Sequence, residues 1–288
     1  MLRKNRQEIV EGFQEHLSKG KLLVGVGSGM EQIAKHGDKS GADFLVFYHT
    51  GHLQSAGRSL LAGILSYDDA NTCLQESSNE VLYTMRKIPV LAGVCGTDPF
   101  RKMDMFLGEL KERGFHGVQN FPTVGIVDGR FRANLEGTGI GYQLEVDMIR
   151  AAHELDLFTC PIVFDAEQGE AMTMAGADML LVHFGLVTKG AKARGEVPSL
   201  EDCCEKLRQI MEKSNAIRRH IPILCYGIQV SSLEGAMQVI QRLPSLAGFF
   251  TVFPGNVEDS ERDMTGRIKE YRTLDKLKKA AHRLRIAE

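Results

Sequence analysis

Short, nearly continuous apolar runs punctuate the chain. Eight can be read, at residues 22–26, 44–48, 90–94, 117–120, 158–164, 179–182, 223–226 and 249–253. They are rich in Val, Ile, Leu and Phe and do not alternate with polar residues, which is the pattern of parallel strands buried on both faces. The segments between them carry helical period. Ile9, Phe13 and Leu17 mark an opening helix. Met103, Phe106, Leu107 and Leu110 mark one helix face, Leu200, Cys203, Cys204, Leu207 and Met211 another, and Leu233, Met237 and Ile240 a third. Asp98-Pro99 reads as an N-cap followed by proline at the first helical position. A basic closing helix is expected over about 259–285.

Eight strands, each followed by a helix, predict a (β/α)8 TIM barrel over residues 1–288, a single α/β domain with an N-terminal helix. A doubly wound open sheet is the competing architecture. Its dinucleotide fingerprint is missing: Gly25-Val26-Gly27-Ser28-Gly29 lacks the spacing, and His49 stands where an acidic residue would end the second strand. No nucleotide cofactor is therefore expected. Gly-Ala-Asp precedes both the second and the sixth strand, at 41–43 and 176–178, a faint echo of half a barrel. The long connections follow strands two, four and six, at about 50–67, 121–139 and 185–199. Loops on that side of a barrel build the active face.

Composition narrows the class without naming a reaction. The chain of 288 residues is 43% hydrophobic and 25% charged, with a formal net charge of −2. That balance points to neither nucleic acid nor membrane as a partner, and no apolar run is long enough to span a bilayer. The start of the chain has basic residues but no apolar signal region. The six cysteines form no C-x-x-C pair, so reduced thiols in a cytoplasmic protein are expected. A small-molecule ligand and a homo-oligomer complete the expectation.

The richest stretch for chemistry is 162–184. Asp165 ends the fifth strand, with Glu167 just beyond it, and His183 ends the sixth. If the face shared by Val163 and Asp165 lines the barrel, the carboxylate reaches the mouth, where it could act as general base or, with Glu167, hold Mg2+. Asp165 could equally cap the following helix. His183 reads as general acid, proton shuttle or carboxylate binder, or as a core histidine. Glu136, on the long fourth loop, is preferred as a catalytic residue to Glu145, which reads as a solvated helix residue. Ser28, His49, Asn120, Gly227 and Ser231 are candidates for substrate contact, with Ser232 beside Ser231 at a helix start; His52 could join His49 on an anion or metal. Cys95 has no cationic neighbour to lower its pKa and reads as packing. Lys189 would serve an aldolase-type Schiff base.

Several segments are together fairly specific: GVGSGM from Gly25, SAGRSLLAGILSYDDAN from Ser55, AGVCGTDPF from Ala92, LEGTGIGYQLEVDMI from Leu135 and AGADMLLVHFGL from Ala175. Through them the chain resembles the phosphoenolpyruvate hydrolase-like family of TIM-barrel signal transduction proteins. It is distantly similar to the phosphoenolpyruvate mutase and isocitrate lyase group. The resemblance implies a hydrolase or lyase acting, with Mg2+, on a small phosphorylated or carboxylated metabolite of phosphoenolpyruvate or phosphonopyruvate type. It departs from the family at His49-Thr50-Gly51-His52, at Val252-Phe253-Pro254-Gly255, and in lacking the cysteine signature of isocitrate lyases. The alternative is a ligand-binding or regulatory barrel without turnover.

Overall fold

A computed structural model describes residues 4–58, 60–85, 87–185, 197–253 and 257–286. The strands are β1 (Leu23–Ser28), β2 (Phe44–Phe47), β3 (Val90–Val94), β4 (Gly117–Asn120), a fifth strand β5 in two pieces (Phe158–Thr159 and Ile162–Val163), β6 (Leu180–His183), β7 (Ile223–Tyr226) and β8 (Gly248–Val252). Every pairing is parallel. The sheet runs from the first piece of β5 through β4, β3, β2, β1, β8, β7 and β6 to the second piece of β5. Its two ends are thus halves of one strand, and the sheet closes as a (β/α)8 barrel.

The break has a local cause. Pro161 has no N–H to give to a ladder. Cys160 N still donates to Val118 O at 3.0 Å, and Pro161 O accepts from Leu181 N at 2.9 Å. The side chain of Asn120 bridges the seam: its Oδ1 accepts from Ile162 N at 2.6 Å and its Nδ2 lies 3.3 Å from Ile162 O.

Strand residues divide by parity into two cores. Leu23, Phe44, Val46, Tyr48, Leu91, Phe158, Ile162, Leu181, Leu224 and Phe250 fill the barrel interior. Val24, Val26, Leu45, Phe47, Val90, Val118, Val163, Leu180, Val182 and Phe249 pack outward under the helices. Gly25 and Gly27 point inward, where a Cβ would meet the rings of Phe44, Phe250 and Tyr48 at 2.3–2.9 Å. The missing side chains leave room for these aromatics.

The N-terminal helix, Arg6–Ser18, closes the floor of the barrel. Ile9 and Phe13 enter the inner core, with Phe13 edge-on to Phe158 at 5.6 Å. Arg6 grips buried Asp178 through two hydrogen bonds, at 2.8 and 2.7 Å. The Gly-Ala-Asp echo has a structural meaning here. Asp43 and Asp178 each accept a bond from a backbone N–H of the preceding strand, Val24 at 2.6 Å and Thr159 at 3.1 Å. Each also pairs with an arginine, Arg272 or Arg6.

Helix ends differ from the sequence expectation in two places. Asp98 does not cap a helix. It accepts from Phe100 N in a turn and from Asn71 Nδ2, and the helix Met103–Arg113 begins after Lys102. The closing segment is two helices, Val257–Thr273 and Asp275–Ile286. The connections after β2 and β4 contain short helices, Gly51–Ser55 and Gly129–Gly137 among them. Lys189, most of the connection after β6, and Pro254, Gly255 and Asn256 lie outside the described residues.

Candidate functional site

At the C-terminal ends of the strands the barrel opens into a cavity of about 330 Å³. Tyr48, Leu181 and Phe250 line its floor from the inner core. Phe121, Thr123 and Ile126 form one wall after β4, and Leu61 and Ile64 another after β2. Phe164, Tyr226, Ile228 and Ser231 complete it, beside His183. Aliphatic and aromatic carbon dominates this lining. Among the described residues that line it, none is Asp, Glu, Lys or Arg.

His183 is placed by strand parity. It follows Leu181 on the inward face of β6, so its ring enters the cavity. The Phe164 ring lies 5.3 Å away, and Tyr226 meets it edge-on at 5.0 Å. Gly185 N donates to His183 Nδ1 at 2.9 Å. Gly185 has φ +94°, a conformation natural to glycine. With Nδ1 an acceptor, the neutral ring carries its proton on Nε2. Burial, assisted by the charge of Lys206, lowers the His183 pKa to about 4. The side chain is therefore an uncharged imidazole with an N–H donor inside an apolar chamber.

The same parity removes three candidates from the chamber. Asp165 shares the face of Val163, and that face is the outer one. Its carboxylate caps the helix Ala166–Met174, accepting from Gln168 N at 2.8 Å. Ser28 also points outward and closes a turn with Met30 N and O. Asn120 is fully buried between β4, β5 and the helix Tyr142–Glu154.

The remaining candidates scatter. Glu167 is exposed and meets Lys213 Nζ at 3.0 Å. Glu136 pairs with Arg132 at 2.6 Å and accepts from Tyr142 N, securing a helix start away from the cavity. His49 is buried, and that burial lowers its pKa to about 4. Its Nε2 lies 3.1 Å from Gly63 O, and its Nδ1 is a buried atom without a hydrogen-bond partner. His52 turns instead to Asp68 at 2.7 Å, so the two histidines do not act on one ligand. Gly227 and Ser231 do line the cavity. A Cβ at Gly227 would sit 2.8 Å from Phe184 Cβ, so only glycine lets this turn pass. Ser232 caps the helix Leu233–Arg242 through Gly235 N at 3.1 Å.

Glu145 departs furthest from the sequence reading. It is completely buried rather than solvated. Its carboxylate accepts from Asn120 Nδ2 at 2.5 Å, Thr123 Oγ1 at 2.6 Å and Val124 N at 2.7 Å. Burial raises its pKa to about 7, against the opposing pull of those three bonds. It stands behind the wall formed by Phe121, Thr123 and Ile126 and ties that wall to the β5 seam.

Metal chemistry needs converging donors, and the described residues contain no group of three His, Cys, Asp or Glu able to hold a metal ion. Asp165 and Glu167 are committed to a helix cap and to Lys213. Mg2+ needs only one or two protein carboxylates beside its waters, but neither Asp165 nor Glu167 lines the cavity, so this pair is not placed to hold it there. All six cysteines are free thiols. Among the described residues no helix is long and apolar enough to cross a membrane.

Comparison with known proteins agrees with this architecture. The family model described as phosphoenolpyruvate hydrolase-like matches residues 8–274. The ToMV resistance protein Tm-1(GCR237) of Solanum lycopersicum is 41% identical over 269 residues, covering 93% of this chain and 36% of that protein. The ToMV susceptible protein tm-1(GCR26) of the same plant is 41% identical over 266 residues, covering 92% and 35%. The chain thus spans about a third of the length of these relatives. Among solved structures, 2,3-dimethylmalate lyase aligns with a TM-score of 0.57 at 14% identity, covering 91% of this chain and 86% of that one. Phosphonopyruvate hydrolase in complex with oxalate and Mg2+ aligns with a TM-score of 0.54 at 16% identity, covering 91% and 84%. At such identities the likeness is one of fold alone, the (β/α)8 barrel.

Proposed function

The chain belongs to the phosphoenolpyruvate hydrolase-like family, and from that premise we propose that its barrel mouth binds a small metabolite through a carbonyl or carboxyl oxygen and acts on it as a hydrolase or lyase. The observation that carries the reading is His183. Its Nε2–H is a donor held neutral by Gly185 N and set in an apolar cavity at the strand tips. A carbonyl oxygen that accepts this bond is polarised, and negative charge developing on it during cleavage is stabilised most where water is excluded. The aromatic walls supply that exclusion. Mg2+ takes no part in the proposal, because Asp165 and Glu167 are engaged outside the cavity and no described residue that lines it is a carboxylate.

A second reading, ligand sensing without turnover, is favoured by one observation: no carboxylate or lysine among the described residues lines the cavity to move a second proton. One experiment serves both. Saturation-transfer NMR with a panel of small carbonyl compounds identifies ligands, and their proton spectra over time report consumption. Ser231 is exposed at the rim, so Ser231→Trp should block the mouth and leave the circular dichroism spectrum native. Loss of binding in that variant supports the site. Consumption by the wild type supports the enzyme, whereas binding without consumption supports the sensor. Binding unchanged in Ser231→Trp rejects the site.

A further inference from the structure

Resting on that reading of the site, we infer that the preferred ligand is an uncharged carbonyl compound with a hydrocarbon body, such as a ketone, ester, lactone or amide, bound without a metal ion. The charged acids and phosphates of the same size are the disfavoured members of the class. Three independent features of the cavity lead here.

The first is the donor. Nδ1 of His183 is occupied by the N–H of Gly185, so a second proton on the ring would break that bond and set two donors against each other. The ring also lies between Phe164 and Tyr226, which offer no carboxylate to stabilise an imidazolium. His183 therefore presents one N–H and no charge.

The second is the lining. The other polar side chains among the described lining residues are hydroxyls, and some are already engaged. Thr123 Oγ1 donates to Glu145, Ser231 Oγ to Ile228 O at 2.7 Å, and Tyr48 OH to Gln119 at 2.7 Å. No described lining residue is a lysine, an arginine or a metal-binding carboxylate, and the charge that acts on His183, that of Lys206, comes from outside the lining and pairs with no bound anion directly. An ion taken from water without a partner loses several kcal/mol of hydration. An uncharged carbonyl loses little and keeps its one hydrogen bond.

The third is size and surface. A cavity of about 330 Å³ lies at the small end of ligand sites, roughly 300–1,000 Å³. Phe121, Phe164 and Phe250 favour an apolar body packed against their rings.

A matched pair of probes tests the charge directly. Benzoylformate and its methyl ester share the aromatic body and the ketone and differ by one negative charge. Titration calorimetry of the whole chain, with EDTA and again with Mg2+, compares them with phosphoenolpyruvate. The ester should bind at least about ten-fold more tightly than the acid, a gap of about 1.4 kcal/mol, with the same affinity in EDTA and Mg2+. His183→Phe should weaken the ester by about ten-fold or more, and Ser231→Trp, at the exposed rim, should abolish its binding. Tighter binding of the acid or of phosphoenolpyruvate, or binding that requires Mg2+, overturns the inference. If that tighter anion binding is lost in Ser231→Trp, the site itself survives. Failure of all three probes to bind, or ester binding that both variants leave intact, overturns the inference and the site together.

Discussion

Glu145 occupies the apolar stripe of its helix, in line with Tyr142, Val146 and Ile149, and this position explains its burial. The signal was present in the sequence, since a lone carboxylate at helical spacing among core residues has no route to solvent. Its pKa, raised to about 7 by burial, lies above the usual carboxylate value. The stability linked to it is thus fully present below about pH 4.3 and is lost as the pH rises through 7. His183 and His49 act in the other direction. Their pKa values are lowered to about 4, so their contribution is present above about pH 6.5 and drains away as the pH falls toward 4. Glu145→Gln removes the first of these dependences. Urea unfolding at pH 5 and pH 8 should show the variant gaining on the wild type at the higher pH by on the order of 3 kcal/mol. Parallel pH profiles would contradict this account of Glu145. His183 was legible as a strand-tip histidine; its neutrality was not, because it depends on a glycine N–H and two rings from other elements.

At the scale of elements, all eight apolar runs became strands, since continuous apolar runs of that length have few other solutions in a closed parallel barrel. The same continuity hid which face of each strand looks inward. Val163 and Ile162 are equally apolar, yet one packs outward and the other inward, and a shift of one residue carries Asp165 out of the mouth. Pro161 was visible within the fifth run, but not that Asn120 would repair the break it makes. Asn120→Leu leaves Ile162 N and the Glu145 carboxylate short of a partner in a dry setting. Each unsatisfied buried group costs about 1–3 kcal/mol. Chemical denaturation should therefore show a loss of about 3 kcal/mol or more. A loss below about 1 kcal/mol would mean that the seam closes without it.

Across the whole molecule, the barrel is shut at one end and open at the other. The helix Arg6–Ser18 fills the floor with Ile9 and Phe13, and Arg6 locks it to Asp178. Above Tyr48 and Phe250 the interior turns into the cavity that holds His183. The closed barrel was legible from strand count and spacing. The make-up of its mouth was not, because it is assembled from loops after β2, β4, β5 and β7 whose mutual placement no local pattern encodes. The most direct test of the account is a long-range proton–nitrogen correlation spectrum of the histidine side chains, with His183 assigned by its disappearance in His183→Phe. It is recorded at pH 7 and down to about pH 5, first without and then with methyl benzoylformate. The account predicts a neutral ring protonated on Nε2 throughout that range, and a displaced Nε2 resonance once the ester is added. A doubly protonated ring at pH 7, or an Nε2 resonance that stays fixed while the ester binds, would contradict it.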